Sequence, residues 1–133
     1  MFEAEARSLD DRKLADVIEE MLEAATFAAS LGECDLETEV GADYKAYRFA
    51  RDDTVVRLAV AALERTGHAP RFETTGGAAD ANVFNEHGLE CLNLANGMTD
   101  IHTPDERIAV ADLDAMVEVT LALIDAARDG ADA

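Results

Sequence analysis

Tryptophan is absent from the 133-residue chain, lysine occurs only at Lys13 and Lys45, and the two cysteines, Cys34 and Cys91, lie far apart. With no CxxC pair and no close set of cysteines, neither a disulfide framework nor a cysteine metal site is expected; the thiols read as small buried apolar groups or as free thiols. Aromatics make up 5% of the residues, so large rings can contribute little to a core. Cations are scarce: Lys plus Arg is 11 against 29 for Asp plus Glu, a net charge of −18. Phosphate contacts need clustered cations, which argues against nucleic acid as a partner and against docking on anionic membranes. No apolar run approaches the ~20 residues of a membrane-spanning helix. The opening residues, Met1-Phe2-Glu3-Ala4-Glu5, lack the basic region of a secretory signal, so a cytoplasmic location is expected.

Apolar residues are 49% of the chain, too many for disorder by composition. Much of that share is alanine, which buries little area, so any core will be thin. The length allows one domain or two small pieces. Acidic, lysine-poor, alanine-rich composition suits a high-salt cytoplasm, where screening mutes self-repulsion. There is no internal repeat and no low-complexity segment.

Residues 2–7 alternate, with Phe2, Ala4 and Ala6 on one face and Glu3, Glu5 and Arg7 on the other, which predicts a half-buried strand. A chain that opens directly in a strand hints that something precedes it. Ser8 and Asp10 offer N-caps, with Asp11 placed for a capping-box variant. Leu14, Val17, Ile18, Met21, Leu22 and Ala25 follow at helical spacing, and Gly32 at C′ ends the helix. A second strand is expected over 36–42. Asp52, Asp53 and Thr54 then start a helix facing inward with Val56, Ala59, Val60 and Leu63, stopped by Gly67. Residues 70–74 and 91–95 read as short strands, with a short helix over 80–86 between them. A polar loop spans 96–107. A last helix starts near Ala111 and carries Leu113, Met116, Val117, Leu121 and Ile124, with a frayed acidic tail after Ala127. The order is β-α-β followed by α-β-α-β-α, an α/β chain with too few strands in either part to close a sheet.

Three places could carry chemistry. His102 lies in a loop with Asp100, Asp105 and Glu106, just after a predicted strand, where α/β proteins gather ligands. One ring nitrogen could ligate a metal while a neighbouring carboxylate fixes the other; a surface histidine in an acidic loop is the bland alternative. His68 and His87 sit in turns and read as solvent-facing. Gly76-Gly77 runs into a helix start and could present N–H groups to an anion or a carbonyl, or it is a tight turn capped by Asp80. Arg7 is either a cross-strand ion-pair partner or a carboxylate clamp.

Read in order, EARSLDDRKL, YKAYRFARDDTVVRLAVAALERTG, TGGAADANVFNEHGLECLNL and GMTDIHTPDERI resemble the C-terminal part of the zinc-dependent aminoacylase/carboxypeptidase-type metallopeptidases. The tripeptide aminopeptidase branch looks most similar, and the resemblance runs from Glu3 to about Ile124. It implies a two-domain enzyme, with a two-metal catalytic α/β domain and an inserted α+β lid that often dimerises. On that map residues 1–46 are the second half of the lid and 47–133 the C-terminal part of the catalytic domain.

The resemblance implies that His102 ligates metal and that Arg7 binds the substrate carboxylate. It places Gly76, Gly77, Asp80 and Asn82 along the substrate site, and Glu106 as a support for the histidine. Ala78 and Ala79 stand where the family usually has Gly and Ser. The family's remaining ligands, its bridging aspartate and its general-base glutamate belong to the N-terminal half; this chain has no His-x-Asp, and Glu19-Glu20 falls on the lid helix. The expected protein is therefore a C-terminal portion of a peptidase or amidohydrolase with two zinc ions per complete enzyme. No catalytic residue is assigned within the chain, and the chain alone is expected to be inactive and to bind no stoichiometric zinc. Its partners would be the N-terminal half, a small peptide and a second copy of itself, since unpaired strand edges recruit other chains. The rival reading is a non-catalytic dimerising or binding module, and an N-acyl amino acid could replace the peptide.

Overall fold

A computed structural model describes residues 1–131. Four helices carry the described structure: α1 (Asp11–Leu31), α2 (Thr54–Arg65), α3 (Asp80–Glu86) and α4 (Val110–Ala131). The chain divides into two compact units. The first joins Met1–Tyr47 to Thr74–Leu89; the second joins Arg48–Glu73 to the chain from Glu90 onward.

The four segments expected as strands form no ladder among the described residues, where one isolated antiparallel bridge joins Thr99 and Arg107. The described chain is thus mostly helical. Alternation in a sequence says which side chains share a face; it does not supply the neighbouring strand whose N–H and C=O groups a ladder needs.

In the first unit, α1 begins at Asp10, whose carboxylate accepts from the N–H groups of Arg12 (3.0 Å) and Lys13 (3.3 Å). Ser8 is not the cap: its Oγ accepts from the Asp10 N–H. No capping box involving Asp11 forms, because Asp11 is the first helical residue. Leu14, Ile18, Leu22, Ala25 and Ala29 make a half-buried stripe, and no α1 residue is fully buried.

The end of α1 departs from expectation by one residue. Gly32 is the C-cap with φ −86°, and the left-handed C′ position falls to Glu33 at φ +49°. The Cys34 N–H closes the turn onto Ala29 C=O at 3.1 Å. A side chain in that region is opposed by contact between Cβ and the carbonyl. Glu33→Gly is therefore expected to stabilise α1 by about 0.5–1 kcal/mol, the relieved strain exceeding the added freedom of the unfolded chain. Slower amide exchange in the last turn of α1 and a higher urea midpoint would register it; a lower midpoint would contradict it.

Helices α2 and α3 end as the glycine signals predict. Gly67 and Gly88 take φ +80° and +83°, and the next N–H, from His68 or Leu89, reaches back to Leu63 C=O (2.8 Å) or Phe84 C=O (2.9 Å).

In the second unit, α2 and α4 pack against each other. The buried residues are Val56, Ala59 and Ala62 of α2 with Val119 and Ala126 of α4, so the contact is narrow and alanine-rich. Arg65 pairs with Asp129 at 3.2 Å where the two helices end. The face of α4 expected to point inward is not the one it buries. Of Leu113, Met116, Val117, Leu121 and Ile124, only Met116 is half-buried; the other four are 49–60% exposed. The helix is apolar on two sides, and the small-residue side, through Val119 and Ala126, fits the alanines of α2. Periodicity alone could not choose between the two stripes. The helix also continues through the acidic stretch expected to fray, as far as Ala131; Asp132 and Ala133 lie outside the described residues. None of the described helices is long and apolar enough to cross a membrane.

Candidate functional site

The residues proposed for chemistry fall into two groups, one in each unit. Arg7, Gly76, Gly77, Asp80 and Asn82 belong to the first; His102 and Glu106 belong to the second.

In the first unit, the chain before α1 and the glycine turn before α3 meet around a cavity of about 280 Å³ lined by Arg7, Ser8, Leu9 and Gly76. Arg7 is exposed, and its Nε donates to the carboxylate of Glu5. Hydrogen bonding to Arg7 lowers the Glu5 pKa, and the same contact raises that of Arg7. A depressed carboxylate pKa favours this pairing above the ordinary carboxylate range, and the pairing is lost as pH falls through the lowered value. Arg7 is therefore an ion-pair partner of Glu5, two residues before it, with Asp43 and Tyr44 near enough to act on its charge, while its two Nη groups make no hydrogen bond among the described residues.

Gly76 and Gly77 have ordinary negative-φ backbones, and a Cβ on either would meet no atom within 4 Å. Nothing in the described fold demands glycine there. Asp80 does not cap the turn. Ala79 is the N-cap of α3, Asp80 is its first residue, and Asp80 is exposed.

Asn82 carries the capping instead. Its Oδ1 accepts from the Ala79 N–H at 3.0 Å and its Nδ2 donates to Lys45 C=O at 2.7 Å, in a side chain only 9% exposed. A short amide at the third helical position can bond backward to the cap and across to another segment together, and few other residues can. Lys45 also pairs with Glu86 at 3.0 Å, which raises the Lys45 pKa. Asn82→Ala removes both hydrogen bonds of a buried side chain, leaving the Ala79 N–H and the Lys45 C=O to solvent, and is expected to destabilise the first unit by about 1–3 kcal/mol. Urea denaturation would measure it; an unchanged midpoint would show that Asn82 is not the tie between these segments.

In the second unit, His102 sits in a loop closed by the Thr99–Arg107 bridge, with backbone bonds of 3.0 and 3.2 Å. Asp100 and His102 both have left-handed backbones, at φ +54° and +68°. Glu106 Oε2 accepts from the His102 backbone N–H at 2.9 Å, so its carboxylate contacts the main chain and not the ring. The His102 ring is exposed, and its nitrogens make no hydrogen bond among the described residues. Sequence reasoning missed Asp100 and Arg107 as a pair. They bridge the loop at 2.7 Å, a contact that their spacing of seven would not suggest without the turn. At the loop's base Gly97 has φ +82°, and a Cβ there would lie 2.8 Å from the carboxylate of Asp112.

No group of three or more His, Cys, Asp or Glu side chains among the described residues is placed to hold a metal ion. An exposed imidazole with both nitrogens free fits one place in a ligand set; the rest of such a set is not formed by these residues.

Comparison with known proteins bears on this arrangement. The chain is 34% identical over 124 residues to the uncharacterised protein YqjE of Bacillus subtilis strain 168, covering 93% of this chain and 33% of that protein. It is 39% identical over 77 residues to a succinyl-diaminopimelate desuccinylase of Methylobacterium sp. strain 4-46, covering 56% of this chain and 19% of that enzyme. The crystal structure of aminopeptidase PepT from Bacillus cereus ATCC 10987 matches 90% of this chain and 32% of its own, with TM-score 0.75 and 35% identity. The chain thus spans about a third or less of the length of these relatives. Residues 4–126 match the family described as Peptidase family M20/M25/M40, and the chain belongs to that family.

Proposed function

We propose that this chain is the C-terminal third of a metal-dependent hydrolase that cleaves amide bonds of small peptides, and that it is inactive by itself. The observation that supports this most is the cavity shared by Arg7 and Gly76, residues far apart in sequence that the family resemblance assigns to one substrate site. A guanidinium with free Nη groups beside a turn without side chains suits a carboxylate carried on a peptide backbone. A cavity of about 280 Å³ lies near the small end of small-molecule sites, of size for a short peptide's carboxylate end. The names of the relatives, an aminopeptidase and a desuccinylase, both describe amide-bond cleavage.

In this reading residues 1–46 are half of a lid, and 47–133 are the C-terminal part of an α/β catalytic domain. The extended segments at 2–7, 36–42, 70–74 and 91–95 would gain their ladders from the remainder of the enzyme. The exposed stripe of Leu113, Val117, Leu121 and Ile124 would be covered in the same way. His102 would contribute one ligand to a zinc centre whose other ligands and general base come from that remainder. Such a metal, when bound, supplies Lewis acidity at the scissile carbonyl. This chain's own part is to hold the substrate carboxylate at Arg7, to leave backbone room at Gly76 and Gly77, and to present the His102 ring. In the isolated chain unpaired edges favour a dimer, and the family assignment favours the cytoplasm.

The test is to assay di- and tripeptides with added zinc, cobalt or manganese, using the chain alone and the complete enzyme in which it is joined to the complementary two thirds. Turnover and stoichiometric zinc are expected only in the complete enzyme. Turnover by the isolated chain would refute the assignment of the missing groups to another segment. A complete enzyme without turnover, yet dimeric through this chain, would favour the non-catalytic module.

A further inference from the structure

Of the three residues with positive φ outside glycine among the described residues, two, Asp100 and His102, lie within one nine-residue loop, 99–107. That region is uncommon outside glycine, though Asp and His enter it more readily than most, and residues held there gather where geometry matters. The restraints here converge on His102 from both sides. Upstream, the Asp100 carboxylate pairs with Arg107 at 2.7 Å, and Asp100 C=O accepts from Thr103 Oγ1 at 2.7 Å. Downstream, Glu106 bonds the His102 N–H at 2.9 Å, and Arg107 also donates to Asp105 C=O at 3.2 Å. The result is a histidine whose main chain is fixed and whose ring is unengaged. A histidine kept for stability shows the reverse, a ring bonded into the fold.

We propose that Glu106 and the Asp100–Arg107 pair are positioning residues for His102, fixing its left-handed backbone so that the imidazole is delivered preformed to a metal. This rests on the reading of the chain as part of a metal-dependent hydrolase. It differs from the expected support of the histidine, in which a carboxylate would hold the ring, because here the carboxylate holds the peptide N–H. Arg107 and Glu106 are both exposed, and exposed pairs add little to global stability. Their variants should therefore fold and report on position.

The experiment has two arms. In the 133-residue chain, amide exchange of His102 is followed by NMR in the parent, Glu106→Ala, Glu106→Gln and Arg107→Ala. Glu106→Ala is expected to accelerate exchange about tenfold or more, as loss of a charge-assisted hydrogen bond implies. Glu106→Gln retains an acceptor oxygen and should fall between, and Arg107→Ala should accelerate exchange at unchanged melting temperature. In the complete enzyme, zinc affinity by chelator competition should drop about 10–100-fold in Glu106→Ala and Arg107→Ala, the range for groups that orient a ligand from outside the ligand set. Unchanged His102 exchange would overturn the proposal. Faster exchange with unaltered zinc affinity would overturn it too, provided that His102→Ala abolishes zinc binding. If His102→Ala itself leaves zinc in place, the hydrolase reading fails instead.

Discussion

His102→Ala in the complete enzyme is expected to abolish amide hydrolysis. Groups that merely orient a ligand cost 10–100-fold in affinity or activity, so removing the ligand itself should exceed about 100-fold. A catalytic zinc is held by about three protein ligands. The described residues of this chain offer no cluster of three, and His102 is the exposed imidazole whose nitrogens are both free in the loop that carries the family motif. One ligand lost from three leaves a centre that neither retains its metal nor aims it. The readouts are kcat/KM on a tripeptide and zinc content after dialysis, both falling together. Arg7→Ala should behave differently. On the proposed reading it removes a clamp on the substrate carboxylate and spares the metal centre, so zinc content is expected to hold while KM rises. Turnover that survives His102→Ala would refute the placement of this chain's histidine in the metal centre.

The helices were legible because their signals are local. Asp10, Gly67 and Gly88 act within one turn of chain, and each sits where its chemistry predicts. At the end of α1, glycine and the left-handed position are neighbours and not the same residue, a choice settled by how the Cys34 N–H closes on Ala29 and invisible to composition. Facing was less legible than existence. On α4 the larger side chains, Leu113, Val117, Leu121 and Ile124, suggested the core, yet Val119 and Ala126 fit the alanine surface of α2. Strands were the least legible, since a ladder is a property of two segments and the sequence describes each separately. The site divides likewise. Arg7 and Gly76 were paired by family resemblance, and they do line one cavity. Asn82 was placed along the substrate site by the resemblance, in a positional role, and its Oδ1 and Nδ2 bond to backbone at Ala79 and Lys45. Glu106 was tied to His102 by the family resemblance, whereas its contact with the main chain depends on a backbone angle that no residue type announces.

Stability should rise steeply with salt. The chain carries −18, and six of its eleven cations already pair with carboxylates: Arg7 with Glu5, Lys45 with Glu86, Arg65 with Asp129, Arg71 with Glu73, Arg107 with Asp100 and Arg128 with Asp125. Salt acts on both signs of interaction. It weakens these exposed pairs, each worth about 0–1 kcal/mol at most, and it relieves repulsion among the remaining carboxylates. With 29 acidic residues against 11 basic ones, repulsion is the larger sum. The core opposing it is small, since four of the six buried apolar residues described are alanines. The Debye length shrinks from about 10 Å at 0.1 M to about 3 Å at 1 M, below the spacing of most surface charges. A relief of about 3 kcal/mol corresponds to a rise in melting temperature on the order of 10 °C for a chain this size. Potassium chloride separates this from the general strengthening of burial that sulfate produces. The control is a charge-reduced variant, Asp16→Asn with Glu19→Gln and Glu23→Gln, all exposed on α1 and outside both candidate sites. Its melting temperature should be higher than the parent's at 0.1 M and converge with it at molar salt. A flat parent curve, or parallel curves for the two proteins, would show that charge repulsion does not govern the stability of this chain.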